Sequence, residues 1–533
     1  MFSWFQHQQL VKKGLACDKT RRQRPEGDWA NFFNVSTTVK LALFSVFAVL
    51  LYGISFWSSS YHSNEIHLLT FIVFISAIMF LQMDAPAIWA SNSKIGLLFG
   101  TIFLNLIVNK LVFLWVAPEV GPLRMEVYFL LPCALAPFLI SLLLGRRSGL
   151  YAVLVLSLFN ALLLRESFAL LMIGLITGFT AVYFTRRTRK RSDLIKAGFA
   201  VGVASLLCAL AFGLVRGHSM DALLEQAGIG IGMGLATAMV VSAILPLFET
   251  PFGIITDISW IEMADLNHPL LQQMMIEAPG TYHHSLMVAN LLEGAANALD
   301  MNPTQCRVLA YFHDIGKIIK PEYFTENAPP DHNPHDNLSP SMSALIIIAH
   351  VKEGVDLGLK ARLKKPIIDA IQQHHGDSVI LSFYKRAKRL EEDAREGVKI
   401  MNMREEDIPH VSENSFRYPG PKPQSKEVGL LSLADAVEAA SRSLDRPTPQ
   451  KIESLVADVM RRKIAEGLLD ESHLTLNEIR ATAESFVFTV KNMLHNRISY
   501  PKDEKSAAAS GSQPAKKSST VRHAPSTQAR ADA

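Results

Sequence analysis

Cysteine is scarce: four residues in 533 (Cys17, Cys133, Cys208, Cys306), far apart and with no C-x-x-C pair. That excludes a disulfide scaffold, a thiolate zinc site and the small secreted domains that depend on either. Net charge is also low, +4 from 53 Lys and Arg against 49 Asp and Glu, too little to argue for a nucleic-acid polymer as partner. Charged residues form 19% of the chain against 49% apolar, and charge is scarcest between Val39 and Phe248. Beyond Phe248, strand signals are few.

What the sequence does have is apolar runs of membrane length. Eight occur, at about 39–57, 66–90, 95–117, 125–144, 148–164, 166–184, 194–215 and 224–248, each near the roughly 20 residues a helix needs to cross a hydrocarbon core. Basic residues crowd alternate loops: Lys12, Lys13, Lys19, Arg21, Arg22 and Arg24 before the first run, Arg146 and Arg147 after the fourth, and Arg186, Arg187, Arg189, Lys190 and Arg191 after the sixth. The opposite loops offer only Arg124, Arg165 and Arg216. Because Lys and Arg in short loops are held on the cytoplasmic side, both termini are expected inside. A cleavable signal peptide is not expected, since the first apolar run comes after a long basic stretch.

Within these runs, Gly228, Gly230, Gly232 and Gly234 have no preceding strand, so small-residue helix packing accounts for them better than a phosphate loop. Lys110 is ionisable inside the third run, which by default suggests function. Its place near the outer end predicts that its stem snorkels outward. Asp84 lies too far along the bilayer normal to pair with it. With no dense set of intramembrane charges to mark an ion path, transport is set aside.

After Phe248, amphipathic helical patterns broken by polar loops run to about residue 500; Val288, Leu291, Leu292 and Ala295 recur at helical spacing, as do Val308, Leu309, Phe312 and Ile315. The expected fold class is all-α, a polytopic membrane bundle of about eight spans followed by a cytoplasmic all-helical domain. The chain divides into a basic segment (1–38), the bundle (39–248), a coupling segment (249–276), the helical domain (277–500) and a tail (501–533) whose Ala, Ser and Lys content predicts disorder. The Pro-rich loop 327–340 reads as a mobile rim over whatever its flanking helices hold.

Chance supplies about 0.7 His-Asp dipeptides at this composition, so the two present, His313-Asp314 and His335-Asp336, mean little alone. Context separates them: an apolar helix delivers the first, in Tyr311-Phe312-His313-Asp314-Ile315-Gly316-Lys317, while the second lies in the Pro-rich loop. His284, His350, His374-His375 and Asp435 complete an ordered series with the first. Imidazoles and carboxylates together suit iron, manganese or zinc, and a carboxylate such as Asp314 can bridge two ions. Two ions about 3.5–4 Å apart can clamp the attacking and leaving oxygens of a phosphodiester and bring a water's pKa to near 7. If the helix continues past Asp314, Lys317 shares the ligand face, either to neutralise a substrate phosphate or as a solvated helix-end lysine. His283 points about 100° away from His284, which favours support or substrate contact over coordination. Asn333 and His335 read equally as lining of an entrance and as turn chemistry.

The order of these residues resembles the HD-domain metal-dependent phosphohydrolases and, more narrowly, the membrane-bound 7TM-HD phosphodiesterases that hydrolyse cyclic di-AMP. The similarity is carried by Asn267-His268-Pro269-Leu270, Ala278-Pro279-Gly280-Thr281-Tyr282-His283-His284-Ser285, Asn333-Pro334-His335-Asp336, Gln373-His374-His375-Gly376 and Tyr418-Pro419-Gly420-Pro421-Lys422-Pro423-Gln424-Ser425. The resemblance implies that His284, His313, Asp314 and Asp435 hold one divalent ion, manganese or iron, and that Asp314, His350, His374 and His375 complete a second. It implies an enzyme of the bacterial inner membrane that opens cyclic di-AMP to linear pApA through a two-metal-activated hydroxide, with Asp314 and Lys317 at the reacting centre; a homodimer is one arrangement open to it. Its relatives carry a large extracellular domain after their first helix, where this chain has only the nine residues of 58–66. Two other readings keep the same site: a nucleotide receptor without turnover, and a hydrolase of another cyclic dinucleotide or a guanosine polyphosphate.

Overall fold

The computed structural model describes residues 33–57, 64–120, 126–164, 167–186, 188–329, 333–401, 410–444 and 447–495. The basic N-terminal stretch 1–32 with its six Lys and Arg, the tail from 501, most of the 58–66 connection, and Arg124, Arg165 and Arg187 lie outside the described residues.

Seven helices in the first half are long and apolar enough to cross a membrane. They are α1 (Thr37–Phe56), α2 (Asn64–Asp84), α3 (Asn92–Val120), α5 (Arg146–Leu163), α6 (Phe168–Thr185), α7 (Arg191–Val215) and α8 (Met220–Phe252). The fourth apolar run, expected to span the membrane over 125–144, is broken. Only Glu126–Phe129 and the ten residues of α4 (Leu135–Leu144) are helical. Pro132 has no N–H and disfavours helix at Leu131, so the helix opens there. The backbone groups this frees cannot go unpaired in hydrocarbon, and a buried asparagine on α3 takes them up: Asn105 donates to the Pro132 carbonyl at 3.1 Å and accepts from the Ala136 N–H at 2.9 Å. Asn109, one turn on, donates to Asn160 of α5 at 3.1 Å.

Lys110 does not snorkel outward. It is 3% exposed, and its ammonium donates to the carbonyl of Leu163 at 3.3 Å, a group left without an intrahelical partner at the C-terminus of α5. The expected glycine packing is found on one face of α8. A Cβ on Gly230 would meet Ser205 Oγ at 2.6 Å and one on Gly234 the backbone N of Gly202 at 2.4 Å, whereas Gly228 and Gly232 meet nothing within 4 Å. Glycine at two of the four positions therefore lets α7 and α8 touch backbone to backbone.

The last span runs into the second half through a short turn. Gly253, at φ 62, ends α8 in the left-handed conformation that glycine adopts without steric cost. Glu249, buried one turn earlier, accepts hydrogen bonds from the Thr256 N–H (3.2 Å) and hydroxyl (2.5 Å) and from the Ser259 hydroxyl (2.7 Å), so it ties the end of α8 to the start of α9 (Asp257–Met263). The two faces of α9 enter different cores. Ile258 packs with Leu97, Leu139, Leu194 and Leu245 of the bundle, and Trp260 packs with Leu270, Leu271, Met274 and Val288 of the following domain. Glu249→Ala removes the common acceptor of buried donors, at about 1–3 kcal/mol; the expected result is faster protease cleavage within 250–265, with the domains on either side still intact on a gel.

Among the described residues, the second half consists of helices joined by turns and loops, with an isolated bridge between Val379 and Arg417 and no strand. In order come α10 (Pro269–Glu277), α11 (Pro279–Ala298), α12 (Pro303–Phe312), α13 (Pro340–Lys360), α14 (Lys365–Gln373), α15 (Leu381–Met401), α16 (Lys426–Ser441), α17 (Pro449–Ala465) and α18 (Leu476–His495). Many start alike, with a side-chain cap and proline at the first turn: Asn302 before Pro303, Ser339 before Pro340, Thr448 before Pro449. One core joins α11, α12, α14, α16 and α18; Val288, Leu291, Leu292, Val308 and Leu309 are buried in it as their spacing predicts, each contributing about 1.5–3 kcal/mol.

Candidate active site

Five helix segments deliver the seven histidines and aspartates of the ordered series to one place. His284 lies on the second turn of α11, and His313 and Asp314 come directly after the last residue of α12. His350 is midway along α13, His374 and His375 come after α14, and Asp435 is on α16. Gly376, at φ 54, turns the chain directly after the histidine pair, a conformation that would strain any residue with a Cβ.

Asp314 is the centre. Its Oδ2 lies 3.2 Å from His313 Nε2 and 3.6 Å from His284 Nε2, and its Oδ1 lies 3.4 Å from His350 Nε2 and 3.6 Å from His374 Nε2. Asp435 closes the first group at 3.0 Å from His284 Nε2, and its other oxygen is 3.8 Å from His375 Nδ1. The ligand atoms form two sets, each within 4.8 Å: His284, His313, Asp314 and Asp435, and Asp314, His350, His374 and His375. Asp314 belongs to both.

The donor chemistry fits divalent ions. Nε2 of His313, His350 and His374 and Oδ1 of Asp314 are buried without a hydrogen-bond partner, a cost a fold does not carry without reason. The opposite ring nitrogens are occupied: Nδ1 of His313 faces the Ala310 carbonyl (2.8 Å), that of His350 the Ile347 carbonyl (2.5 Å) and that of His374 the Ile371 carbonyl (2.9 Å). Donation from Nδ1 to a carbonyl leaves the Nε2 lone pair for a metal and fixes the ring's direction. His284 is held by a carboxylate instead, Glu438 Oε2 at 2.5 Å from Nδ1.

Burial works against charge on every histidine here, and at His350, His374 and His375 it wins, aided by the neighbouring imidazoles. His374 is pushed down to about 3, so this set is neutral and ready to coordinate. At His313 burial is outweighed by Asp314 and Asp435, which hold its pKa up at about 10. An ion entering this set must displace that proton below pH 10, so uptake weakens as pH falls. Calorimetry of manganese binding at pH 7 in two buffers of different ionisation enthalpy is expected to show proton release.

Lys317 reaches the site by a different route from the one expected. The α-helix does not continue past Asp314 but tightens into a 3-10 turn over Ile315–Ile319, in which residues three apart eclipse. The Lys317 ammonium therefore meets Asp314 Oδ2 at 2.7 Å and Glu326 Oε1 at 2.8 Å. Burial opposes its charge, but Asp314 and Glu326 hold its pKa above the usual lysine value, so it is a fixed cation.

A cavity of about 630 Å³ opens from the metal-ligand sets, its wall including His284, Lys317, His335, His350, His375 and Asp435. That is the size of a drug-scale or dinucleotide-scale ligand site. His335 is on the wall as expected of an entrance residue, with Nε2 against the Tyr323 carbonyl at 2.8 Å. His283 and Asn333 are not among the residues lining it: His283 is exposed, and Asn333 caps the short turn Pro334–Asn337 by accepting from the His335 N–H. For Asn333 the turn-chemistry reading is the one the geometry bears.

Glu438 and Tyr418 also lie on this wall, though neither is among the candidate site residues read from the sequence. Glu438 was legible in principle, three residues after Asp435 and so on the same helix face. Tyr418 stacks on His375 with ring centroids 4.3 Å apart, but its loop comes from far along the chain. Glu438→Gln is expected to weaken ion binding at the His284 set about 10- to 100-fold, measured by metal titration, because outer carboxylates orient and strengthen ligand histidines.

Residues 60–256 match the family described as a 7TM receptor with intracellular HD hydrolase, and residues 281–440 match the HD domain. The cyclic-di-AMP phosphodiesterase PgpH of Bacillus subtilis (strain 168) is 35% identical over 387 residues, 71% of this chain and 52% of that protein. PgpH of Listeria monocytogenes serotype 1/2a (strain 10403S) is 32% identical over 441 residues, 81% of this chain and 58% of that protein. The chain thus spans a little over half the length of these curated relatives. The crystal structure of the L. monocytogenes PgpH HD domain in complex with cyclic-di-AMP is 38% identical and superposes with a TM-score of 0.39, covering 43% of this chain and 99% of that one.

Proposed function

The chain belongs to the family of 7TM receptors with an intracellular HD hydrolase, and from that premise we propose that it is a membrane-bound, metal-dependent phosphodiesterase that opens cyclic di-AMP to linear pApA. The observation that carries the proposal is the pair of ligand sets sharing Asp314 at the floor of a dinucleotide-sized cavity. Two divalent ions, manganese or iron, would supply there the Lewis acidity that activates water and polarises a phosphodiester. The chain's own residues do the rest. His284, His313 and Asp435 would hold one ion and His350, His374 and His375 the other, with Asp314 belonging to both sets. Lys317, kept charged by Asp314 and Glu326, offsets the negative charge that builds on phosphate during attack. The substrate assignment is taken from the two PgpH relatives, whose names give that activity.

The basic loops favour an inner-membrane enzyme with its HD domain in the cytoplasm. Arg191, in the densest of those loops, pairs with Glu262 of α9 at 2.9 Å, which is consistent with loop and domain sharing one side. The segment 249–276 then couples bundle to site, supported by the split loyalty of Ile258 and Trp260 in α9.

The test uses the full chain in lipid nanodiscs loaded with manganese or iron, with cyclic di-AMP, cyclic di-GMP and a guanosine polyphosphate followed by chromatography. Appearance of pApA is expected. A metal-loaded protein that binds a nucleotide and turns none over would make the chain a receptor instead.

A further inference from the structure

A cyclic dinucleotide carries two phosphodiesters, and only one can lie at the metal ligands while it is attacked. The other needs its own cation. Among the described residues lining the cavity, the permanent cations are Lys317 and Arg442. Lys317 is already engaged by two carboxylates at the ligand sets, which leaves Arg442.

Its position suits that task. Arg442 comes seven residues after Asp435, two turns on at the C-cap of α16, or roughly 10 Å along the axis. Its side chain folds back one turn, and Nε donates to Glu438 Oε1 at 2.8 Å. The other oxygen of that carboxylate receives His284 Nδ1. Glu438 is thereby a brace with one end on a metal-ligand histidine and the other on the arginine, which fixes the distance between ion and guanidinium. The two terminal nitrogens of Arg442 have no protein partner among the described residues. The side chain is 37% exposed, at the wall of the cavity, so an anion can reach it. A guanidinium with one edge on a carboxylate and the other free is well shaped for two N–H···O bonds to phosphate.

We propose that Arg442 binds the phosphate of the dinucleotide that is not being cleaved, and that the Glu438 brace sets the spacing at which a two-phosphate substrate is accepted. The proposal rests on the phosphodiesterase reading. It makes Arg442 a specificity residue: it acts on substrates with a second phosphate and is idle toward those with one.

The experiment compares wild type, Arg442→Gln and Arg442→Lys, each as the full chain in manganese-loaded nanodiscs, on cyclic di-AMP and on bis(p-nitrophenyl) phosphate, a diester with a single phosphate. Losing one charge-assisted contact should raise KM for cyclic di-AMP about 10- to 100-fold in the Gln variant, with kcat little changed and lysine recovering part of the loss. Kinetics on the nitrophenyl diester and the metal content should stay at wild-type values. An unchanged KM for cyclic di-AMP overturns the proposal, and so does a parallel loss on both substrates, which would mean that Arg442 acts only through Glu438 on the metal ligands. Wild-type protein that cleaves the nitrophenyl diester and leaves cyclic di-AMP intact would sink the cyclic di-AMP assignment itself, a result distinct from either.

Discussion

On the two-metal phosphodiesterase reading proposed above, Asp314→Ala is expected to lower turnover of cyclic di-AMP by at least about 1,000-fold and to reduce bound metal from two ions toward none. The size of the effect comes from position. One oxygen of Asp314 faces His313 and His284, the other faces His350 and His374, all within 3.6 Å, and among the described residues Asp314 alone belongs to both sets. Metal assistance to charge in a transition state contributes several kcal/mol, and each 1.36 kcal/mol is tenfold in rate. The variant also leaves the buried Lys317 with Glu326 as its sole carboxylate partner at this distance, which places uncompensated positive charge where an ion should enter. Asp314→Asn should do little better, since an amide offers one oxygen and cannot bridge. The checks are elemental analysis of the purified chain and chromatography of the nucleotide, with circular dichroism to establish that the helices remain. Substantial turnover in the alanine variant would refute the assignment of a shared ligand.

The seven residues that converge on Asp314 are legible in the sequence because each is a rare residue type in a strong local context: a histidine pair before glycine, a His-Asp pair at the end of an apolar helix, an aspartate in an Ala-rich one. The fourth span was not, because hydropathy over 125–144 records composition and is blind to Pro132, whose effect depends on whether a neighbour such as Asn105 can pair the opened backbone. Lys110 was misjudged for a related reason. Snorkelling assumes lipid around the stem, whereas α3 buries that face against α5, and the carbonyl that receives the ammonium is 53 residues away. Tyr418 and Arg442 join the wall of the site through contacts with His375 and with Glu438, and the chemistry of those contacts is not written in the spacing of one helix. Lys317 came out in the right place with the wrong helix: three-residue spacing points to one face in an α-helix and aligns even more closely in the 3-10 turn that forms.

That 3-10 turn carries the other large expected effect. Gly316 packs against the middle of α13 so closely that a Cβ there would lie 1.8 Å from the carbonyl oxygen of His350 and 2.6 Å from the N of Gly354. Both are backbone atoms on the buried face of that helix, so no side chain can swing aside, and the helix itself must move by more than an ångström. The carbonyl that would be struck belongs to the residue whose imidazole stands 3.4 Å from Asp314; pushing α13 away withdraws His350 from the second ligand set. Gly316→Ala is therefore expected to destabilise the domain by more than the about 1–3 kcal/mol usual for overpacking, and to drop metal content from two ions to one in whatever fraction folds. Gly232→Ala, where nothing lies within 4 Å, is the control for adding a methyl group as such. Thermal unfolding and elemental analysis of the two variants distinguish the outcomes: a Gly316→Ala protein that melts with wild type and holds two ions would show that α13 is not fixed in place by this contact, and that His350 owes its position to the ions.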